Sequence, residues 1–251
     1  MTMTVESHDH PDRIVGKLGK LAPNRPEGLH MLAFYQSNPL PVAPDTVPVP
    51  NVASWGMLAN DKYGDCTFAG IVHARMANAA VLGLTETFPT DEEVVAAYLA
   101  YTNGQDCGAV EAELLKYWHN NDLFGSKLAA FAPTDHTDFD ELKSVIASYG
   151  LIYIGVRLPV TFQQQFVSGQ PWDLTGTPAD QQIEGGHCVI LVGYDADHAY
   201  CITWGRIQAV TWQWLRSYME ESWAFITPEI VTRGEYGKMR FAELMTDLEK
   251  L

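Results

Sequence analysis

The stretch Asn60-Asp-Lys-Tyr-Gly-Asp-Cys66-Thr-Phe-Ala69 passes from a loop into a helix, and its reading decides the fold. Asp65 or Cys66 caps a helix predicted from Thr67 to about Leu82, and Gly83 ends it. A cysteine there faces the free N–H groups and the positive dipole end of the helix, which favour a thiolate. Asn60 adds a side-chain amide donor six residues before Cys66.

Downstream of Gly83, Thr90-Asp-Glu-Glu is a capping box that opens a second helix reaching about Tyr101. Val110 to Asn120 reads as a third helix, and Asp138 opens a fourth that stops at Gly150. The hydrophobic period then changes from 3.6 to 2. Leu151-Ile-Tyr-Ile-Gly-Val is a strand, and so is His187-Cys-Val-Ile-Leu-Val-Gly-Tyr. Asp195-Ala-Asp-His is a turn, and Ala199-Tyr-Cys-Ile-Thr-Trp is the returning strand of the hairpin. Glu221 to Ile226 and a segment near Met239 are further strand candidates. Helices first and sheet second give an α+β chain with antiparallel pairing. Upstream, eight of the fourteen prolines lie between Pro11 and Pro50, so residues 1–48 read as an extended arm and 49–251 as the domain. Leu29 to Tyr35 is a short helix or strand that anchors this arm.

His187 begins its strand after Gly185-Gly186, small residues that leave room for a substrate. A cysteine at a helix start and a histidine on a strand suit acyl transfer. The thiolate attacks, the imidazole moves the proton, and the Asn60 amide with the Cys66 N–H stabilises the oxyanion. Cys188 and Cys201 lie inside strands and read as core, Cys107 reads as a loop thiol, and Trp212, Trp214 and Trp223 read as packing.

Composition narrows the classes. The chain has 251 residues, 47% hydrophobic, enough for a sizeable core. Sixteen basic against 31 acidic residues give a net charge of −15. Such a chain is repelled by phosphate backbones and anionic membranes, so neither nucleic acid nor membrane is an expected partner. No apolar run reaches the roughly 18 residues of a membrane helix, and the polar, acidic start lacks a secretory signal. Four cysteines without CxxC spacing suit a reducing compartment, the cytoplasm. No histidine pair has zinc spacing, His8-Asp9-His10 reads as a solvated tail, and no P-loop or GxGxxG is present. Neither metal nor cofactor is expected.

In order along the chain, these segments resemble the papain-like cysteine proteases. Asn60 to Cys66 is similar to the family's Gln, five residues, then Cys. Val49-Pro-Asn-Val-Ala-Ser-Trp55 resembles its P-x-x-V-D-W, and Cys107-Gly108 followed by Leu114 to Asn121 resembles its helix ending Y-x-x-x-N-G. Leu142 to Gly150 with Tyr153-Ile-Gly-Val, Phe162 to Gly169, Gly186-His187 to Tyr194, and Trp204-Gly205 continue the likeness. It covers about residues 49–226. It implies a helical half, about 60–150, packed on an antiparallel β half, about 151–251. It further implies peptidase or amidase activity on a peptide or amide substrate, with Cys66, His187 and Asn60 catalytic and Gly185, Gly186 and Trp204 against the substrate. The Asn60 and Gly-Gly-His stretches are also similar to sequences of bacterial and actinophage-type proteins, which names no substrate.

Four departures bear on activity. The oxyanion Gln is the shorter Asn60, Thr67 follows the cysteine where the family has Trp, and Tyr63 replaces a disulfide cysteine, leaving Cys107 unpartnered. Ile202 stands where the family's histidine-orienting Asn belongs. Hairpin pairing places residues 202–208 beside His187; of these only Thr203 and Gln208 offer the ring a useful hydrogen bond, and Thr203 is the best candidate to orient it. The alternative to an enzyme is a weakened or inactive papain-like module in an assembly such as a virion, with the Pro-rich arm on a protein partner.

Overall fold

The computed structural model describes residues 15–233 and 240–251. His8, His10 and Met239 lie outside them.

The helix that opens after Asp65 is α2, Cys66–Leu82, following a single-turn α1, Leu32–Tyr35. Asp65 holds the N-cap position without capping through its side chain, and Gly83, left-handed at φ 65°, closes the helix. Nearly all of α2 is buried, because sheet and helices cover it all round. The predicted capping box forms at α3, Asp91–Tyr101: Thr90 accepts the Glu93 N–H while Glu93 accepts that of Thr90. α4 spans Glu111–Asn120 and α5 spans Phe139–Tyr149, the latter capped by Asp138 and ended by Gly150.

One six-stranded sheet carries the rest. Its strands are β1 (Ala130–Pro133), β2 (Ile152–Pro159), β3 (Ile183–Tyr194), β4 (His198–Thr203), β5 (Arg206–Thr211) and β6 (Met219–Ile226). Their order is β1-β6-β2-β3-β4-β5, antiparallel throughout. Strand β1 comes from the stretch read as the helical half, and β5 follows the Trp204-Gly205 turn where no strand was expected. Helices α6 (Phe162–Ser168), α7 (Trp212–Tyr218), α8 (Pro228–Arg233) and α9 (Phe241–Leu248) lie in the β half. After the predicted Met239 strand, the described chain is therefore helical.

Helix α2 rests on β2 and β3 at Gly70. A Cβ there would lie 2.8 Å from the Tyr153 ring and 3.2 Å from Cys188 Sγ, so only glycine allows this approach. The Tyr153 hydroxyl donates to the Thr67 carbonyl at 2.8 Å, fixing the first turn of α2 against the sheet. The start of α2 and the His187 end of β3 thereby share one end of the sheet.

The Pro-rich arm packs on its own chain. Leu29, Leu32 and Tyr35 are buried in the core. The Tyr35 hydroxyl donates to Asp247 Oδ2 at 2.9 Å, and its carbonyl accepts the Arg240 N–H at 2.6 Å, tying α1 to α9. Val47 pairs with Tyr194 at the end of β3. Between Leu21 and Leu29 the chain crosses the surface, exposed at residues 22–25. The segment before it enters the site.

Candidate active site

Cys66 opens α2 and is 1% exposed. Burial is the dominant influence on its thiol and pushes it up to about 12. The backbone N–H groups of Cys188 and Gly19 point at the sulfur and pull the other way. A helix start alone predicts a depressed thiol pKa; burial reverses that.

His187 lies on β3, paired with Val156 of β2, and is equally buried. Its Nε2 is 2.7 Å from Thr203 Oγ1. The β3–β4 pairing runs through Ile190 and Ile202, so Ile202 sits in the core and the next residue, Thr203, reaches the ring. Gln208 donates to the Gln170 and Ala209 carbonyls instead. Asp195 closes the hairpin turn, accepting from the Asp197 and His198 backbone. Trp204 takes a positive φ of 44° in the tight turn with Gly205. Its indole stacks on the imidazole, centroids 4.4 Å apart and planes inclined by 17°.

Asn60 is buried, and its Nδ2 lies within 3.2 Å of three acceptors: the Tyr63 carbonyl, Asp65 Oδ1 and the Lys17 carbonyl. Asp65 is itself buried, and this pushes its carboxyl up to about 8, so it is mostly protonated at neutral pH.

The third of these acceptors belongs to the arm, whose residues 16–21 thread the site as an extended chain. The Lys17 N–H donates to the Asn60 carbonyl at 2.6 Å, and the Lys20 N–H to that of Gly186 at 3.1 Å. The Ala109 N–H donates to the Gly19 carbonyl, and the Leu21 N–H to that of Ala109. A Cβ on Gly19 would stand 1.7 Å from the Gly64 carbonyl oxygen, so the backbone itself presses on the loop before Cys66. Gly185 faces Leu18, Gly186 faces the Lys20 backbone, and the Trp204 ring faces Gly16. The structure thus gathers Asn60, Gly185, Gly186 and Trp204 around this segment, beside Cys66 and the His187–Thr203 pair.

Sequence reading missed an acidic cluster next to the thiol. The Lys20 ammonium, its side chain 1% exposed, lies 2.9 Å from Glu220 Oε2 and 3.0 Å from Glu221 Oε1. Burial lowers its affinity for the proton, but Glu221 and Glu111 outweigh this and raise it above the ordinary lysine value. Glu111, fully buried at the start of α4, is pushed well above the usual carboxylate range, first by burial and then by Glu221. An acid pair inside the mostly apolar Met-Glu-Glu-Ser-Trp-Ala-Phe-Ile strand was the available signal. Glu111 gave none, since acids are ordinary in a first helical turn. Among the described residues no cluster of three or more His, Cys, Asp or Glu has the makings of a metal site.

No family model and no curated protein sequence matches the chain. Solved structures do. Xylellain, a cysteine protease from Xylella fastidiosa, aligns with 86% of this chain and 97% of its own at TM-score 0.64 and 14% identity. The cysteine protease and lectin-like domains of Cwp84, a surface layer associated protein of Clostridium difficile, align over 84% of this chain and 57% of theirs, at TM-score 0.57 and 10% identity. Digestive procathepsin L 3 of Tenebrio molitor larval midgut aligns over 82% and 75%, at TM-score 0.52 and 14% identity.

Proposed function

Starting from the papain-like α+β fold that this chain shares with those structures, we propose that it is a cysteine peptidase or amidase. In this reading Cys66 is the nucleophile, His187 the base, Thr203 the residue that positions the ring, and Asn60 an oxyanion donor. One observation carries the reading. The chain's own residues 16–21 lie beside Cys66 as an extended peptide, hydrogen-bonded through their backbone to Asn60, Ala109 and Gly186. A groove that holds one peptide this way, with a thiol and an imidazole on its floor, is suited to present another for attack.

The chemistry follows from the ring's contacts. When Nε2 carries hydrogen, Thr203 Oγ1 accepts it and Nδ1 offers its lone pair. Nδ1 then takes the Cys66 proton, and the thiolate attacks the carbonyl carbon of the scissile bond. The Cys66 N–H and the Asn60 amide stabilise the oxyanion. Imidazolium returns the proton to the leaving amine, and water hydrolyses the thioester. With residues 16–21 filling the groove and Cys66 a neutral thiol, the enzyme of this reading is latent.

A weakened or inactive binding module is the second reading. It is favoured by a neutral hydroxyl, and not an amide, at His187 Nε2 and by the internal acceptors, Tyr63 and Asp65, already at the Asn60 amide. One experiment separates the two. The full chain, with its first segment released by a cut within residues 22–25, is given a fluorogenic peptide mixture and a thiol-directed peptide warhead. Turnover and labelling at Cys66, both lost in Cys66→Ala with an unchanged circular dichroism spectrum, support the enzyme. Neither turnover nor labelling after release leaves the binding module.

A further inference from the structure

We propose that Glu111, Glu220 and Glu221, arranged around Gly155, form the specificity pocket of this site, that the pocket selects peptides bearing a lysine side chain, and that Lys20 is its resident occupant. The inference rests on the peptide-processing reading above and names its substrate class.

The acids and the cation come from different parts of the molecule. Glu111 belongs to α4, and Glu220 and Glu221 to β6, all fixed in the domain. Lys20 belongs to the segment that must leave before any substrate enters. Arg157 pairs with Glu220 at 3.0 Å from the half-exposed side. Among the described residues, Lys20 is the one cation within ion-pair distance of Glu221. Its departure leaves Glu221, which keeps the Trp223 indole N–H at 3.0 Å, buried beside Glu111 with no countercharge, and a buried carboxylate without a cation is unfavourable. A neutral peptide does not repair this; a second lysine does.

Shape agrees with charge. A Cβ at position 155 would lie 2.3 Å from Lys20 Cε, 2.8 Å from Glu221 Cγ and 2.9 Å from Glu111 Oε1. Glycine there opens the strand just enough for an aliphatic stem to pass and an ammonium to reach the acids. The neighbouring Gly19 N–H points at the Cys66 sulfur, so the lysine pocket adjoins the point of attack. A second basic residue of the same segment follows the pattern: Lys17 Nζ is 3.4 Å from Asp106 Oδ2, in a more exposed pair.

The test uses the full chain carrying Lys20→Met, cut within residues 22–25 and freed of the released segment, so that the pocket loses its own ammonium and the groove its tethered occupant. Two labelled octapeptides are titrated by fluorescence anisotropy: Val-Gly-Lys-Leu-Gly-Lys-Leu-Ala, copying residues 15–22, and the same peptide with norleucine for its second lysine. The lysine peptide is expected to bind about 100-fold more tightly. Adding Glu221→Gln should cut that preference at least tenfold. Equal binding of the two peptides, or no binding of either, overturns the proposal. Binding is also measured with Cys66→Ala present, so pocket selectivity is read without any catalytic step. No turnover by the released chain with Cys66 intact, while selectivity persists in Cys66→Ala, then counts against the peptidase reading and leaves the pocket standing. Glu221→Gln in the otherwise unaltered chain keeps the test decisive if Lys20→Met does not fold. Its weakened grip on Lys20 should speed Cys66 alkylation by iodoacetamide about tenfold, and an unchanged rate overturns the proposal.

Discussion

Thr203 meets the imidazole with one neutral hydroxyl, and that sets what its removal does. In Thr203→Val the methyl replaces the hydroxyl with little change of volume, and His187 loses the partner of its Nε2. The lost neutral hydrogen bond, about 1 kcal/mol, should lower kcat roughly tenfold, with KM little changed. Thr203→Ser keeps the bond and should retain most activity. Steady-state kinetics on the released chain check both, and equal kcat in the two variants would remove Thr203 from the site. Cys66 and His187 could be picked out in the sequence because a helix start and a Gly-Gly-strand junction carry local signals. Thr203 needed the register of the hairpin, which places Ile190 against Ile202 and so turns the next residue toward the ring. Lys20 could not be picked out, since nothing local distinguishes it from any other lysine in a proline-rich arm; its partners lie about 90 and 200 residues away.

At the scale of elements, capping chemistry made the helices legible. Thr90 with Glu93, Asp138, Gly83 and Gly150 all act at the ends the sequence marks. Strands β1 and β5 were hidden for a physical reason. Ala-Phe-Ala-Pro is four residues buried on both faces, so it shows no alternation, and Arg206–Thr211 starts directly after a turn that reads as its own feature. The arm was read as extended, but its contacts with the domain are tertiary and left no local trace. Gly19 offers the cleanest test of how the first contact works. Gly19→Ala drives a methyl against the Gly64 carbonyl oxygen, which belongs to backbone and cannot swing away. The segment should lift, and Cys66 should become alkylated by iodoacetamide. In the unaltered chain, mass-spectrometric mapping should find label chiefly at Cys107, the one cysteine that is not buried. Early labelling of Cys66 in the unaltered chain would contradict a closed groove.

Across the whole molecule, stability should respond to pH from both sides. Asp65 carries a raised carboxyl pKa of about 8 against 3.8 unfolded, so the folded state holds a proton that the unfolded state releases. Its favourable share is present in full below about pH 4 and is lost as pH rises through 8, amounting to up to about 6 kcal/mol. His73 acts in the opposite sense. Burial lowers it to about 4, against the opposing pull of its hydrogen bonds to the Trp55 and Gly56 carbonyls, so stability falls as pH drops from 6.5 toward 4. Thermal melts from pH 4 to 9 should therefore peak in the mildly acidic range. Asp65→Asn, which keeps the shape without a titrating proton, should flatten the alkaline side; an unchanged slope there would mean Asp65 is already ionised in the fold.

The exposed crossing at residues 22–25 separates two functions of one arm: the part before it occupies the groove, and the part after it completes the core through Leu32 and Tyr35. A segment tethered this closely competes at a local concentration of the order of millimolar, whatever the amount of protein in solution. Dilution does not dislodge it, and a substrate peptide at micromolar levels barely competes. A single cleavage in the crossing changes the kinetics of the problem. The groove-filling piece becomes an ordinary free peptide, lost on the first dissociation and not recaptured, while Leu32, Tyr35 and α9 stay as they were. Under the proposed peptidase reading, one cut in this crossing opens the groove once and irreversibly.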